Sequence, residues 1–151
     1  MNNQAVEAEL IKRAVSIAIL HSDGKFLMQL RDNIPGIVYP GHWGLFGGHI
    51  ELGESPESAI KRELFEEISY IPPGLLKFEE YADADVVRHV YHAPLTVDIQ
   101  QLVLQEGWDM DLLTVEQIRS GSCFSQKAGK VQPLGCPHQQ ILLDFIKMVL
   151  M

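Results

Sequence analysis

The stretch from Gly47 to Pro73, GGHIELGESPESAIKRELFEEISYIPP, leaves little freedom in how it folds. Ser55 is a good helix N-cap and Pro56 suits the first helical position. Glu57 falls in the first turn, where the helix dipole favours an anion. Ala59, Ile60, Leu64 and Ile68 recur at helical spacing and form an apolar face, and Pro72 and Pro73 end the segment. A helix is therefore expected over Ser55–Ser69. Glu63, Glu66 and Glu67 follow the i, i+3, i+4 rule and share a second face. Exposed carboxylates so placed repel one another by a few tenths of a kcal/mol per pair. The plain alternative is a solvated acidic face. The chemical one is a site for a hard cation: Mg²⁺ prefers oxygen ligands and commonly bridges protein carboxylates to phosphates. Glu54 stands just ahead of the helix. The Gly47-Gly48 turn can bring Glu54 and the Gly48 carbonyl toward the same face, and Arg62 is placed to orient a carboxylate by a charge-assisted hydrogen bond.

The rest of the chain limits what surrounds that helix. One domain of 151 residues can bury a real core, and 46% hydrophobic and 21% charged residues make an ordinary globular mix. With 12 basic against 20 acidic residues the net charge is −8, which argues against a broad nucleic-acid surface or a membrane footprint. A small phosphorylated substrate stays compatible, because a bound cation reverses the local sign. Cys123 and Cys136 form no C-x-x-C pair and read as thiols of a reducing compartment. The polar, acidic start MNNQAVEAEL lacks a signal-peptide pattern. No apolar run reaches the ~18 residues of a membrane span, so a cytoplasmic protein is expected.

Residues 1–11 suggest a short helical arm. Arg13–Leu20 and Lys25–Leu30 are apolar runs separated by His21-Ser22-Asp23-Gly24, the signature of a β-hairpin. Asp32–His42 holds two prolines and two glycines and reads as a loop. Trp43–Phe46 is a short strand that Gly47-Gly48 is expected to break. Val86–His92 and Leu95–Leu104 read as strands, Val115–Arg119 as a short helix, Ser120–Pro137 as a loop, and the residues from about His138 as a final helix. That order suggests a mixed sheet covered by helices.

The segment Gly48–Tyr70 resembles the Nudix box: Gly48, Glu54, Arg62, Glu63, Leu64, Glu66 and Glu67 match it at the correct spacing. Six fixed identities would coincide by chance on the order of once in ten million windows. Ser69 and Tyr70 depart from the pattern, which has glycine and an aliphatic residue there. Serine in a left-handed conformation past the helix end costs about 1 kcal/mol, so the departure bears on the helix exit and removes no carboxylate. The stretch Trp43–Gly48 and the later Glu106-Gly107-Trp108 also look like this family.

The resemblance implies an α/β/α sandwich spanning residues 1–151 as a single domain. It implies metal-dependent hydrolysis of a diphosphate linkage in a nucleoside diphosphate derivative, by water attack on phosphorus. Glu63, Glu66 and Glu67 would hold Mg²⁺ or Mn²⁺, supported by Glu54 and the Gly48 carbonyl, and Arg62 would orient a glutamate. The general base is open between Glu66, Glu67 and a loop carboxylate among Glu79, Glu80, Asp83 and Asp85. Arg31 is a candidate for substrate phosphate, Trp43 and Phe46 for stacking, and His49 for substrate approach. Tyr39 is a further stacking candidate, and Trp108 is either core or pocket wall. His89 and His92, three apart on a strand, should point to opposite faces. Dimers are frequent in the family, so a homodimer is compatible. The competing readings are an inactive Nudix ligand-sensing or interaction module, and diphosphate isomerase chemistry.

Overall fold

The protein, seen here in a computed structural model, is described over residues 12–149. The expected arm at residues 1–11 lies outside that range. Strands β1 (Arg13–Ser22) and β2 (Lys25–Leu30) form the expected hairpin. Asp23 and Gly24 both take positive φ, 51° and 76°, as a two-residue turn matched to strand twist requires. Next come β3 (Trp43–Gly44), β4 (Phe46–His49), helix α1 (Pro56–Ile68), β5 (Leu76–Ala82), β6 (Val86–Pro94) and β7 (Asp109–Thr114). The short helix α2 (Val115–Ser120), a β8–β9 hairpin (Ser122–Ser125 and Lys130–Pro133) and helix α3 (Cys136–Val149) complete the described chain.

The main sheet is mixed. β6 runs parallel to β1 along its whole length, from Arg13↔Val86 to His21↔Pro94. The other edge of β1 is shared: Val15 to Ala18 pair with β4, whereas His21 and Ser22 pair with β2. β2 therefore diverges from β1 where β4 inserts, and carries β3 and β7 with it. That split opens the sheet beside the glycine turn.

Alternation along β1 builds a core on each face. Ala18 and Leu20 join Leu27, Phe46 and the α1 residues Ile60, Leu64 and Ile68. Ile17 and Ile19 join Phe26, Met28 and the α3 residues Ile141, Leu142, Phe145 and Ile146. Each such side chain contributes about 1.5–3 kcal/mol on burial, so α1 is held by its apolar stripe more than by helix propensity. The result is the expected α/β/α layering.

Three local expectations are corrected. Gly47 and Gly48 do not break a strand: they lie inside β4, because its partner β1 supplies the ladder. Leu95–Leu104 is no strand. Asp98 and Gln101 form a capping box around a single 3-10 turn, Ile99–Gln101, and the apolar residues cover the α1-side core without pairing. Ser120–Pro137 contains the β8–β9 hairpin, in register from Ser122↔Pro133 to Ser125↔Lys130. β5 and β7 carry charged residues that hid their strand character. Ser69 keeps the exit geometry that a glycine would have, at φ 55° and ψ 35°, with its N–H donating to the Phe65 carbonyl.

Candidate active site at the glycine turn and the acidic helix

Arg62 organises the start of the site. Its Nε and Nη2 donate to both oxygens of Glu54, at 2.7 and 2.9 Å. Nη1 donates to Glu63 at 3.0 Å and to Glu66 at 3.3 Å, and Nη2 reaches the His49 carbonyl at 3.0 Å. One guanidinium thus ties the loop before the helix, the strand end and two of the three box glutamates together. The hydrogen bonds from Arg62 hold the Glu54 carboxyl down at about 2. Glu54 also accepts from the Glu51 amide at 2.8 Å, closing the loop on itself.

Glu67 has a different environment. Burial, and then the neighbouring Glu63 charge, push its carboxyl up to about 8. It accepts a hydrogen bond from the Gly47 amide, at 3.1 Å. Both glycines are required by space. A Cβ on Gly47, at φ 153°, would sit 2.1 Å from the Ser16 carbonyl oxygen. A Cβ on Gly48 would sit 2.5 Å from the Glu63 carboxyl. This part of β4 is therefore pressed against β1 on one side and against a box glutamate on the other.

A cleft of about 400 Å³ opens over this turn at the split between β2 and β4. Gly47, Gly48, His49 and Glu67 form one end. Arg31, from the end of β2, lines it, and its Nε is buried without a hydrogen-bond partner among the described residues. Arg13 and Arg88 also line it, Arg88 being paired with Asp83 at 2.8 Å.

The structure brings Arg31, Gly48, His49 and Glu67 to the cleft, with Glu54, Arg62, Glu63 and Glu66 joined to them through Arg62. It does not bring Phe46, which is fully buried in the α1-side core and unavailable for stacking. Trp43 borders the cleft, but its ring is wholly buried and its N–H donates to the Cys123 carbonyl at 3.1 Å, so it serves packing. Glu79 and Glu80 lie on β5, and Asp83 and Asp85 in the turn after it. None of the four lines the cleft. Trp108 packs against the α3-side core; His92 packs against Phe145 of α3, whereas His89 stands beside Glu80 of β5.

Arg13 and Arg88 escaped the sequence reading, as did two further cleft residues. Glu106 reaches it from the loop before β7, in the segment matched only as Glu-Gly-Trp. His138, in the first turn of α3, accepts from the Leu45 amide at 2.8 Å. Nothing in the local pattern marks a helix-start histidine as a partner of a strand 93 residues away.

Among the described residues, no three acidic, histidine or cysteine side chains stand as a preformed metal-binding group. The donor set nevertheless fits a hard divalent cation. Two carboxylates from one helix face are crowded against the Gly47-Gly48 segment of β4, and one of them resists ionisation because it is buried beside the other. A carboxylate in that position is what an oxygen-seeking cation stabilises.

A strand carrying Gly47-Gly48 and an acidic helix packed on a split mixed sheet define a Nudix-type fold. The chain belongs to the NUDIX domain family, whose model matches residues 10–130. The nucleoside triphosphatase NudI of Escherichia coli is 37% identical over 57 residues, which is 38% of this chain and 40% of that protein. The chain thus spans about 40% of the length of the curated relatives it matches. The NUDIX domain of Shewanella oneidensis NrtR, solved with ADP ribose, superposes with a TM-score of 0.69 at 20% identity, covering 99% of each chain. A MutT NUDIX hydrolase from Burkholderia pseudomallei superposes at 0.67 with 22% identity, over 89% of this chain and 97% of that one. At these identities the solved structures establish a shared fold.

Proposed function

We propose that this protein hydrolyses a diphosphate linkage in a nucleoside diphosphate derivative, by water attack on phosphorus, with residues 1–151 acting as a single Nudix domain in the cytoplasm. The observation that carries the reading is the crowded Glu63–Glu67 pair against Gly47-Gly48 of β4, opening onto a cleft lined by arginines. The unpaired cysteines, one buried and one exposed, suit a reducing compartment.

Glu63, Glu66 and Glu67 would hold Mg²⁺ or Mn²⁺, with Glu54 and the Gly48 carbonyl in support, and the cation would neutralise the diphosphate and polarise phosphorus. The chain's own residues do the rest. Arg62 fixes the carboxylates in place, so little reorganisation is needed on reaction. Arg31, with a buried and unsatisfied Nε, donates to a substrate phosphate oxygen. Glu67 is the box carboxylate that lines the cleft, and it takes the proton of the attacking water.

The test is incubation with Mg²⁺ or Mn²⁺ and a panel of nucleoside diphosphate derivatives, followed by a phosphatase and a phosphate assay. Metal-dependent release from at least one class, lost by orders of magnitude in Glu67→Gln, is expected. Tight ligand binding without turnover of any candidate would replace this reading with a ligand-sensing module.

A further inference from the structure

The far end of the cleft, away from the carboxylates, has its own chemistry. His138 reaches it from α3, and its ring lies between two glycines. A Cβ on Gly44 would meet the ring at 3.6 Å, and one on Gly135 would meet it at 3.7 Å. The ring is therefore clamped between β3 and the turn before α3, with no side chain between. The Leu45 amide donates to Nδ1 at 2.8 Å, which fixes the tautomer: Nδ1 carries no proton and Nε2 carries one.

No protein acceptor for Nε2 occurs among the described residues, and Nε2 is not among the side-chain atoms sealed from solvent without a partner. The open side of this residue is the cleft. The Tyr39 ring lies over Gly135, its Cγ 3.8 Å from where a Cβ there would stand, so an aromatic face borders the same end. Ile37 and Val38 of the preceding loop extend that wall.

Resting on the diphosphate reading above, we infer that His138 is a specificity-determining residue, whose fixed Nε2–H donates to a neutral acceptor, a ring carbonyl or unprotonated ring nitrogen, on the nucleobase of the substrate. Spacing agrees. Leu45, at the break between β3 and β4, is three residues from Gly48, a separation of at most about 10 Å and of the order of the reach from a diphosphate across a sugar to a base. The ring's charge state agrees as well. Burial, together with the Arg88 and Arg31 charges, pulls His138 down to about 4, so it meets ligands as a neutral donor. A neutral donor beside an aromatic wall suits an uncharged heterocycle. The anionic end of the substrate is left to Arg31 and the carboxylate-bound cation.

His138→Asn separates donor from scaffold. The shorter amide keeps an acceptor near the Nδ1 position for the Leu45 amide and deletes the group at Nε2. His138→Gln does the reverse, restoring a donor near Nε2. Binding is measured by calorimetry in the presence of Mg²⁺, using a panel of nucleoside 5′-(α,β-methylene)diphosphates and the baseless methylene diphosphonate. His138→Asn should weaken the preferred nucleoside ligand about tenfold and leave methylene diphosphonate unchanged, while His138→Gln recovers part of the loss. Equal weakening of both ligands, or no weakening of either, overturns the assignment of His138 alone. Failure of every diphosphonate to bind the unaltered protein overturns the diphosphate reading and this inference together. A two-dimensional amide spectrum of His138→Asn with shifts confined to the neighbourhood of Leu45 shows that the fold is retained.

Discussion

Replacing Glu67 by glutamine should make the metal-free protein more stable at alkaline pH. Glu67 titrates near 4.5 in an unfolded chain and at about 8 in the fold, because burial and then Glu63 oppose its charge. Below pH 4.5 both states keep the proton and nothing is lost. Between 4.5 and 8 the unfolded chain releases the proton while the folded one retains it, so stability falls as pH rises. Above 8 the folded carboxyl is ionised and the loss is complete. At about 1.4 kcal/mol for each pH step between those values, the wild-type protein loses about 3–5 kcal/mol between pH 5 and pH 9 from this residue. Glutamine still accepts from the Gly47 amide and does not titrate, so Glu67→Gln should be free of that loss. Urea denaturation in EDTA at intervals from pH 5 to 9 measures it directly. A stability gap between the two proteins that stays flat with pH would refute the claim that this carboxyl is buried against another negative charge. Adding Mg²⁺ at pH 9 should stabilise the wild-type protein more than the variant, since only the carboxylate can ligate strongly.

The two glycines of the turn should respond differently. Gly47→Ala meets the Ser16 backbone and should lower the unfolding midpoint by several degrees, read by circular dichroism. Gly48→Ala meets only the side-chain end of Glu63, and should keep stability within about 1 kcal/mol while cutting turnover at least a hundredfold. Arg62→Lys cannot reproduce two bonds to Glu54 together with those to Glu63 and Glu66. Activity should fall more than tenfold in a phosphate-release assay, with weaker Mn²⁺ binding by electron paramagnetic resonance. Ser69→Gly relieves the left-handed serine and should stabilise by about 0.5–1 kcal/mol in urea, less what is lost with the bond from Gln105. His21 and His92 are both held below the ordinary imidazole range by burial, with the His92 charge also acting on His21, so each contributes a loss of stability as pH drops below about 6.5, alongside His138 and against the gain that Glu67 gives over the same range. His92→Phe should flatten that acid limb, and an unchanged profile would refute the assignment.

Much of this molecule was legible because its information is local. Ser55, Pro56 and the Ala59–Ile68 stripe are each read within one or two helical turns, and the structure gives α1 the bounds they imply. The Asp23-Gly24 turn is equally local. The misreadings arose where local pattern and tertiary pairing disagree. Leu95–Leu104 has the apolar alternation of a strand, yet no free edge accepts it. The Ser120–Pro137 segment is rich in loop residues, yet two stretches of it pair with each other. Phe46 and Trp43 were sensible stacking candidates by type, but the direction of a side chain from a strand is set by register, and register turned Phe46 into the core.

The amino-acid order alone determined the acidic helix, its caps, the glycines before it and the family to which they belong. Those depend on spacing of a few residues and on rotations about single bonds. Only the folded chain decided that Glu67 is buried beside Glu63, that β2 and β4 part to open a cleft, and that a histidine from the last helix is locked onto Leu45. Desolvation and long-range pairing depend on what the rest of the chain places nearby. Residues distant in sequence meet only when both faces of the sheet have been covered.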